Sequence, residues 1–506
     1  MSTSTPVVRA YRVRSSANPA KLVAVAAIVP VWQAGLARAQ AEIRRTLLTA
    51  GALPRWVDAK DWGGGLSQRQ WDSVNQQAVA SHRSWLGNCE RVFRDLVVGS
   101  TLPELTKFDL LYVNAAHAWY RPLTADAPVQ LSAKRMIEPQ VFVLARTIMR
   151  QVRKRVGAPD LRRVQTMVMD GKIASVTTAD AGEHADFWVR ISTLTSGKPV
   201  WIPLHSNRNI TQRLSRPGAV LANHCQVAIR PGGQVQFRLL VKTPRAEQSA
   251  ERSRAVGLDW GMATLFATSD GTLHGRGFLE RLRRYDQRLQ PLIAALHRNR
   301  VKLCDSRRYR ELVRDIRGFV TNEVNRCLNR ILDPNKGGAG DVARVVVEKL
   351  DFRGLAKTGR LSKRLRRLLT VAGRATVTRK LEALRDDLGF EIEQQPAAYS
   401  SQECTGCGYT HPSNRRDQAR FRCRFCGKTV HADIDGARTL LRRSQTGGLT
   451  PYRTRGQVLD HLDECFQSHW GLSFAAVAER QTKPVPRVAP SSATTAAECY
   501  GLPSVA

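Results

Sequence analysis

The most specific spacing in this sequence is that of two cysteine pairs. Cys404-Thr-Gly-Cys407 is followed, after fifteen intervening residues, by Cys423-Arg-Phe-Cys426. Two Cys-x-x-Cys knuckles at that separation can place four thiolates tetrahedrally around one Zn²⁺. Four ligands leave no open position for water, so the zinc is expected to be structural. Gly408 and Gly427 each follow the second cysteine of a pair. Glycine there permits the tight turn that points backbone amides at sulfur. His411 and His431 lie nearby but are surplus to the four. The other cysteines (Cys89, Cys225, Cys304, Cys327, Cys465, Cys499) are scattered. They form no disulfide framework and suit a reducing compartment.

Three carboxylates are the second set. Asp259 ends the apolar run AVGLD, and Glu348 follows Val345-Val346-Val347. A carboxylate beside a buried strand is costly unless paired or metal-bound. Asp433 opens the helical stretch after the cysteines. Each has a plainer reading alone: a turn residue, a strand-end charge, a helix N-cap. Together, their order around the cysteines fits a site that holds two Mg²⁺ ions about 4 Å apart for phosphodiester hydrolysis. In an RNase H-like layout the first carboxylate lies on the first strand of a hairpin, the second on a later strand, and the third opens a helix.

The balance of charge points to a polyanion. Lys and Arg total 79 against 43 Asp and Glu, for a formal charge of +36. Such a charge repels itself unless phosphates neutralise it, and each phosphate contact releases a counterion. The apolar run Leu22–Val31 is shorter than the ~20 residues that a span needs. The polar N-terminus lacks a signal layout. A cytoplasmic protein with no membrane partner is expected, with a monomer favoured.

The elements around these residues follow from periodicity. Val7–Arg14 alternates apolar and basic residues, as a strand with one charged face does. Pro19–Val156 is mostly helical, including Leu36–Leu48 and Arg135–Val156. Six tryptophans fall early (Trp32, Trp56, Trp62, Trp71, Trp85, Trp119) and are candidates for core or for base stacking. Arg162–Lys242 reads as short strands and turns, giving a small barrel or sandwich. Thr243–Arg254 is a polar linker. Strands are expected at Ala255–Asp259, Thr264–Thr268, Val342–Leu350 and Glu391–Gln395. Basic helices are expected over Gly277–Asp333 and Ser362–Leu388, and a short helix near Asp433–Arg443. After Ser444 the pattern weakens, and Lys483–Ala506 reads as a flexible tail.

Three strings carry a resemblance. GLDWGMATLFATSDG resembles the first RuvC motif of compact type V CRISPR-Cas effectors and of the related transposon-encoded TnpB nucleases. RVVVEKLDFRG resembles the second. PAAYSSQECTGCG with RCRFCGKTVHADIDGARTLL resembles their zinc ribbon and third motif. Phe187–Leu204 is similar to the strand region ahead of the nuclease. Asp435 stands where these families usually carry Asn, in an Asp-x-Asn-Ala-Ala context.

The resemblance implies a multi-domain α+β chain. Residues 1–18 would open a wedge β-barrel, 19–160 form a helical recognition lobe, and 161–250 complete the barrel. Residues 251–400 would be RuvC parts I and II, 401–430 the zinc ribbon, 431–445 RuvC part III, and 446–506 a C-terminal extension, partly disordered. It implies an RNA-guided DNA endonuclease of antiviral defence, with guide RNA and target double-stranded DNA as partners. Asp259, Glu348 and Asp433 would be the catalytic, Mg²⁺-holding residues, and Cys404, Cys407, Cys423 and Cys426 the zinc ligands. Alternatives are a transposon-associated guided nuclease, a guided binder that represses without cutting, and a DNA-strand transferase.

Overall fold

Residues 6–49, 53–57, 64–121, 128–132, 135–230, 233–248, 252–349, 361–415, 417 and 419–482 are described by a computed structural model. The chain divides into two units, Met1–Arg245 and Ala246–Ala506.

Unit 1 begins with β1 (Val7–Ser15), α1 (Pro19–Ala26), α2 (Ile28–Thr49), α3 (Gln68–Val98) and α4 (Glu104–Ala115). A hairpin of β2 (Val129–Ser132) and β3 (Arg135–Ile137) then leads into α5 (Pro139–Arg155). The remaining elements are β4 (Thr166–Met169), β5 (Ala174–Thr178), β6 (Phe187–Ile191), β7 (Val200–His205), α6 (Arg208–Leu214), β8 (Val220–Ile229) and β9 (Val235–Thr243).

Seven strands form one antiparallel sheet in the order β4-β8-β9-β1-β7-β6-β5. β1 joins its halves, pairing with β9 over Val7–Val13 and with β7 at Arg14 and Ser15. Asn223 Oδ1 on β8 accepts from the Val176 amide on β5 at 2.9 Å, which curls the sheet into a nearly closed barrel. The alternation read in β1 is visible here: Arg12 and Arg14 are exposed, while Val13 is buried.

Trp32 and Trp71 enter the barrel core, and Trp85 and Trp119 enter a second core between α3, α4 and α5. These four are thus packing residues rather than stacking surfaces. Trp56 is exposed, and Trp62 lies outside the described residues. Arg135–Ile137, expected as helix, is strand. Pro139 sits at the first helical position, where its fixed φ and missing N–H favour a helix start. The apolar stretch around Leu22–Val31 is longer than that run suggests. The helical stretch Pro19–Leu47 is long and apolar enough to cross a membrane by length and composition alone. Its residues Val25, Ile28, Trp32, Leu36 and Ala39 pack into the barrel core, as the apolar stripe of a core helix does.

Unit 2 opens with β10 (Arg254–Trp260), β11 (Phe266–Thr268) and β12 (Leu273–His274), followed by α7 (Phe278–Arg298) and α8 (Arg307–Leu332). Next come β13 (Val342–Glu348), α9 (Lys363–Leu388) and β14 (Glu391–Gln395). The five strands are ordered β12-β11-β10-β13-β14. β10, β11 and β12 are antiparallel neighbours, whereas β13 and β14 add parallel to β10. α7, α8 and α9 cover an apolar core with Leu282, Leu312, Val320, Leu328 and Leu381. Ser362, the N-cap of α9, donates to the buried Asp286 carboxylate of α7 at 2.6 Å and fixes that helix start.

A small hairpin, β15 (Arg420–Arg422) with β16 (Thr429–His431), precedes α10 (Ala432–Thr446). α11 (Arg455–Trp470) and α12 (Phe474–Thr482) follow. The weak pattern read after Ser444 thus conceals two helices, α11 and α12. Thr454 and Gln457 form a capping box at the start of α11, and Val458, Leu462 and Phe466 make its buried stripe. The tail expected at Lys483–Ala506 lies outside the described residues.

Candidate carboxylate site and four-cysteine cluster

β10 is the middle strand of its sheet, so its end can be approached from both sides. Leu258 pairs with Val347 of β13, and Glu348 pairs with Gln395 of β14. Asp259 and Glu348 therefore emerge one step past that register, at the same end of two adjacent parallel strands. Asp433 reaches them from the first turn of α10.

The helix comes this close because glycines line the approach. A Cβ on Gly257 would sit 2.1 Å from the Ala437 carbonyl oxygen. A Cβ on Gly436 would sit 3.0 Å from Asp259 Oδ2. α10 thus packs its backbone closely on β10 at Gly257, and Gly436 leaves room for the Asp259 side chain.

The electrostatics follow from this gathering. Burial pushes the Asp259 carboxyl well above the usual carboxylate range, and the neighbouring charges of Glu348 and Asp433 push it further. Arg415 opposes them, its guanidinium lying 3.1 Å from Asp433 Oδ1. Asp433 is itself buried, with its amide hydrogen-bonded to His431 Nδ1 at the helix cap. The structure brings the three carboxylates named from sequence into one locality. Their oxygens do not all fall within 4.8 Å of one another. Among the described residues only the cysteine quartet does so among groups of three or more such donors.

That quartet is Cys404, Cys407, Cys423 and Cys426. Sγ of Cys404 lies 3.6 Å from that of Cys426, and Sγ of Cys407 lies 3.5 Å from that of Cys423. The amides of Phe425 and Cys426 point at Cys423 Sγ, at 3.4 and 3.5 Å. Gly408 and Gly427 take φ of +83° and +77°, the left-handed turns that glycine favours. His411 bonds Ser413 through Nδ1, and His431 caps α10, so neither joins the cluster.

The surroundings of the cluster were not foreseen from sequence. Phe466 and Trp470 of α11 and Phe474 of α12 build an aromatic wall with Tyr409 and Phe425. Trp470 Nε1 donates to the Cys407 carbonyl at 2.9 Å. Glu403, fully buried beside Cys404, pairs with Arg442 and Arg443 of α10. Arg443 also donates to the carbonyls of Pro396 at 2.6 Å and Ala398 at 2.9 Å. This network fastens the last turns of α10 to the chain entering the cysteines.

The donor sets differ in kind. Carboxylate oxygens suit hard divalent cations such as Mg²⁺, whereas four thiolates suit Zn²⁺ in a closed tetrahedral site. The crowding of charge at Asp259 fits the first, because a dication would relieve it. The spacing of the sulfurs fits the second.

Parts of the chain are similar to known proteins. Residues 375–440, from within α9 into α10, match the family model described as Cas12f1-like, TNB domain. Over 201 residues the chain is 28% identical to InsQ of Escherichia coli (strain K12), named as a candidate RNA-guided DNA endonuclease. That match covers 37% of this chain and 48% of InsQ. Over 55 residues it is 36% identical to the CRISPR-associated endodeoxyribonuclease Cas12f1 of Sulfoacidibacillus thermotolerans, covering 11% of this chain and 13% of that protein. The chain thus spans about half the length of the first relative and a small part of the second. The resemblance to type V effectors drawn from the motifs is matched by the family model and by these relatives. Among solved structures, the AacC2c1–sgRNA binary complex superposes with a TM-score of 0.42 at 11% identity, covering 86% of this chain and 89% of that one. The Cas12f1–sgRNA–target DNA complex gives 0.41 at 11% identity, covering 86% and 98%. Both superpositions are loose.

Proposed function

We propose that this chain is an RNA-guided DNA endonuclease whose cutting centre is Asp259, Glu348 and Asp433. The observation that carries the reading is the meeting of these carboxylates at one end of β10, with the cysteine cluster immediately ahead of the helix that supplies the third. The order β12-β11-β10-β13-β14, antiparallel and then parallel, supports a RuvC-type, RNase H-like domain. Two Mg²⁺ ions bound there would activate water and stabilise the leaving oxygen. Asp259, Glu348 and Asp433 would be the residues that hold them. The cysteines would hold one structural Zn²⁺. The formal charge of +36 suits a guide RNA and its DNA target, held by their phosphates. The barrel of unit 1 would serve as the wedge and its helices as the recognition lobe, in the cytoplasm.

A second reading, a guided binder that represses without cutting, is favoured by one feature. Arg415 lies 3.1 Å from Asp433 Oδ1 and supplies it with a cation without any metal. A transposon-associated guided nuclease would share the chemistry of the leading reading, and the genomic neighbourhood separates the two.

The test is to incubate the full chain and its co-purified RNA with Mg²⁺ and a matched duplex. Cleavage that disappears in Asp259→Ala, with RNA binding intact, supports the nuclease. Tight binding with intact strands supports the repressor, and cleavage unchanged by Asp259→Ala removes the proposed centre.

A further inference from the structure

α10 touches both sites. Residues two apart on a helix point to roughly opposite faces, about 200° around the axis. Asp433 faces Arg415 and Asp259, whereas Asp435 faces the cysteine knuckles. The Asp435 side chain is fully buried. Its Oδ1 accepts from Thr405 Oγ1 at 2.5 Å and lies 3.5 Å from Lys428 Nζ. Lys428 also donates to Thr405, closing a three-membered ring of contacts.

Both partners belong to the cluster. Thr405 lies between Cys404 and Cys407, and Lys428 is two residues past Cys426. The Lys428 stem runs along the first knuckle, where a Cβ on Gly406 would meet its Cδ at 3.3 Å. Asp435 Oδ2 is buried with no hydrogen-bond partner among the described residues. Leaving a buried carboxylate oxygen unpaired is costly. A neutral amide would accept from Thr405 equally well. What the carboxylate adds is an anion for Lys428, held where both knuckles meet the helix.

We infer that Asp435 is a positioning residue that couples the cysteine cluster to the carboxylate site, so that the geometry of the knuckles sets the rotation of α10 and hence the direction of Asp433. The inference rests on the nuclease reading of Asp433. Asp435 reaches the carboxylate site only through α10, so its loss is expected to weaken metal binding there by about tenfold, the low end of what contacts one step removed from a metal's ligands contribute.

The experiment uses the full chain, wild type and Asp435→Ala, with Asp435→Asn as the variant that keeps an acceptor for Thr405. Zinc per chain is measured by elemental analysis. Mn²⁺ binding is measured by electron paramagnetic resonance, with Asp259→Ala defining the contribution of the carboxylate site. Asp435→Ala is expected to retain its zinc and to weaken Mn²⁺ binding about tenfold. Asp435→Asn, which keeps the acceptor for Thr405 but loses the anion beside Lys428, is expected to fall between wild type and Asp435→Ala. In a cleavage assay, the Mg²⁺ concentration for half-maximal rate should rise in parallel for Asp435→Ala. Mn²⁺ binding by Asp435→Ala equal to wild type overturns the coupling and leaves the nuclease reading standing. Loss of zinc from both variants also overturns it, because Asp435 would then only hold the cluster together. A wild-type chain whose Mn²⁺ binding is indifferent to Asp259→Ala sinks the nuclease reading and the coupling with it.

Discussion

Gly257 lies directly beneath Ala437: a single added carbon would come within 2.1 Å of the Ala437 carbonyl oxygen. The obstacle is helix backbone, which cannot swing aside as a side chain can. Gly257→Ala should therefore push α10 off β10 and carry Asp433 with it. Overpacking of this kind costs about 1–3 kcal/mol. Thermal denaturation should show the loss, accompanied by loss of DNA cleavage. An unchanged melting temperature would mean that the helix does not seat on this strand.

Glu403 and Arg443 form a buried pair whose removal on one side should be severe. Glu403→Gln leaves Arg443 charged, enclosed and short of its carboxylate. Breaking such a pair costs about 3–5 kcal/mol. Denaturant titration of the full chain should register this, whereas replacing the exposed Glu280, which pairs with Arg284 on the surface of α7, should change stability by under about 1 kcal/mol.

Trp470 gives the cysteine cluster an optical reporter, because its indole donates to the Cys407 carbonyl. A strong zinc chelator should loosen the knuckle and shift tryptophan emission, and Trp470→Phe should remove most of that shift. Cys404→Ser or Cys423→Ser should lower soluble yield, since metal binding at such sites contributes directly to folding. A chelator that changes neither emission nor yield would argue against a metal at the cysteines.

Association with nucleic acid should weaken steeply with salt. Each neutralised phosphate contributes a slope of roughly −0.9 in log affinity against log salt for duplex DNA. Replacing Arg281 and Arg288, both exposed on α7, should flatten that slope without altering sequence preference. A slope identical to wild type would place the nucleic acid away from this helix.

Much of unit 2 was legible because its signals are local. The runs ending at Asp259 and Glu348 are short, apolar and β-branched. The cysteine spacing is diagnostic by itself, and α10 announces itself with acidic residues at its start. What sequence missed lies in long-range pairing. Glu403 and Arg443 stand forty positions apart, and nothing local to either signals a buried ion pair. α11 did carry readable signs, a capping box and a four-residue apolar repeat, obscured by the polar composition around them. The early tryptophans could not be assigned from sequence, since an indole among arginines looks the same whether it faces a core or a base. Burial decided the matter for Trp32, Trp71, Trp85 and Trp119. Among the described residues of that region, Trp56 stays exposed, and so do Phe108 and Tyr112 on α4, with Arg135 over the Phe108 ring.

Bringing the Asp259, Glu348 and Asp433 carboxyls together at the end of β10 costs electrostatic free energy, which holds Asp259 well above the usual carboxylate range and which Arg415 offsets only in part. A dication binding there releases that energy, and any ligand selective for the folded state raises stability by about 2.7 kcal/mol at a hundredfold excess over its dissociation constant. If the proposed centre binds magnesium, raising the ion should lift the melting point, and a chain lacking the Asp259 carboxylate should melt at nearly the same temperature with or without it.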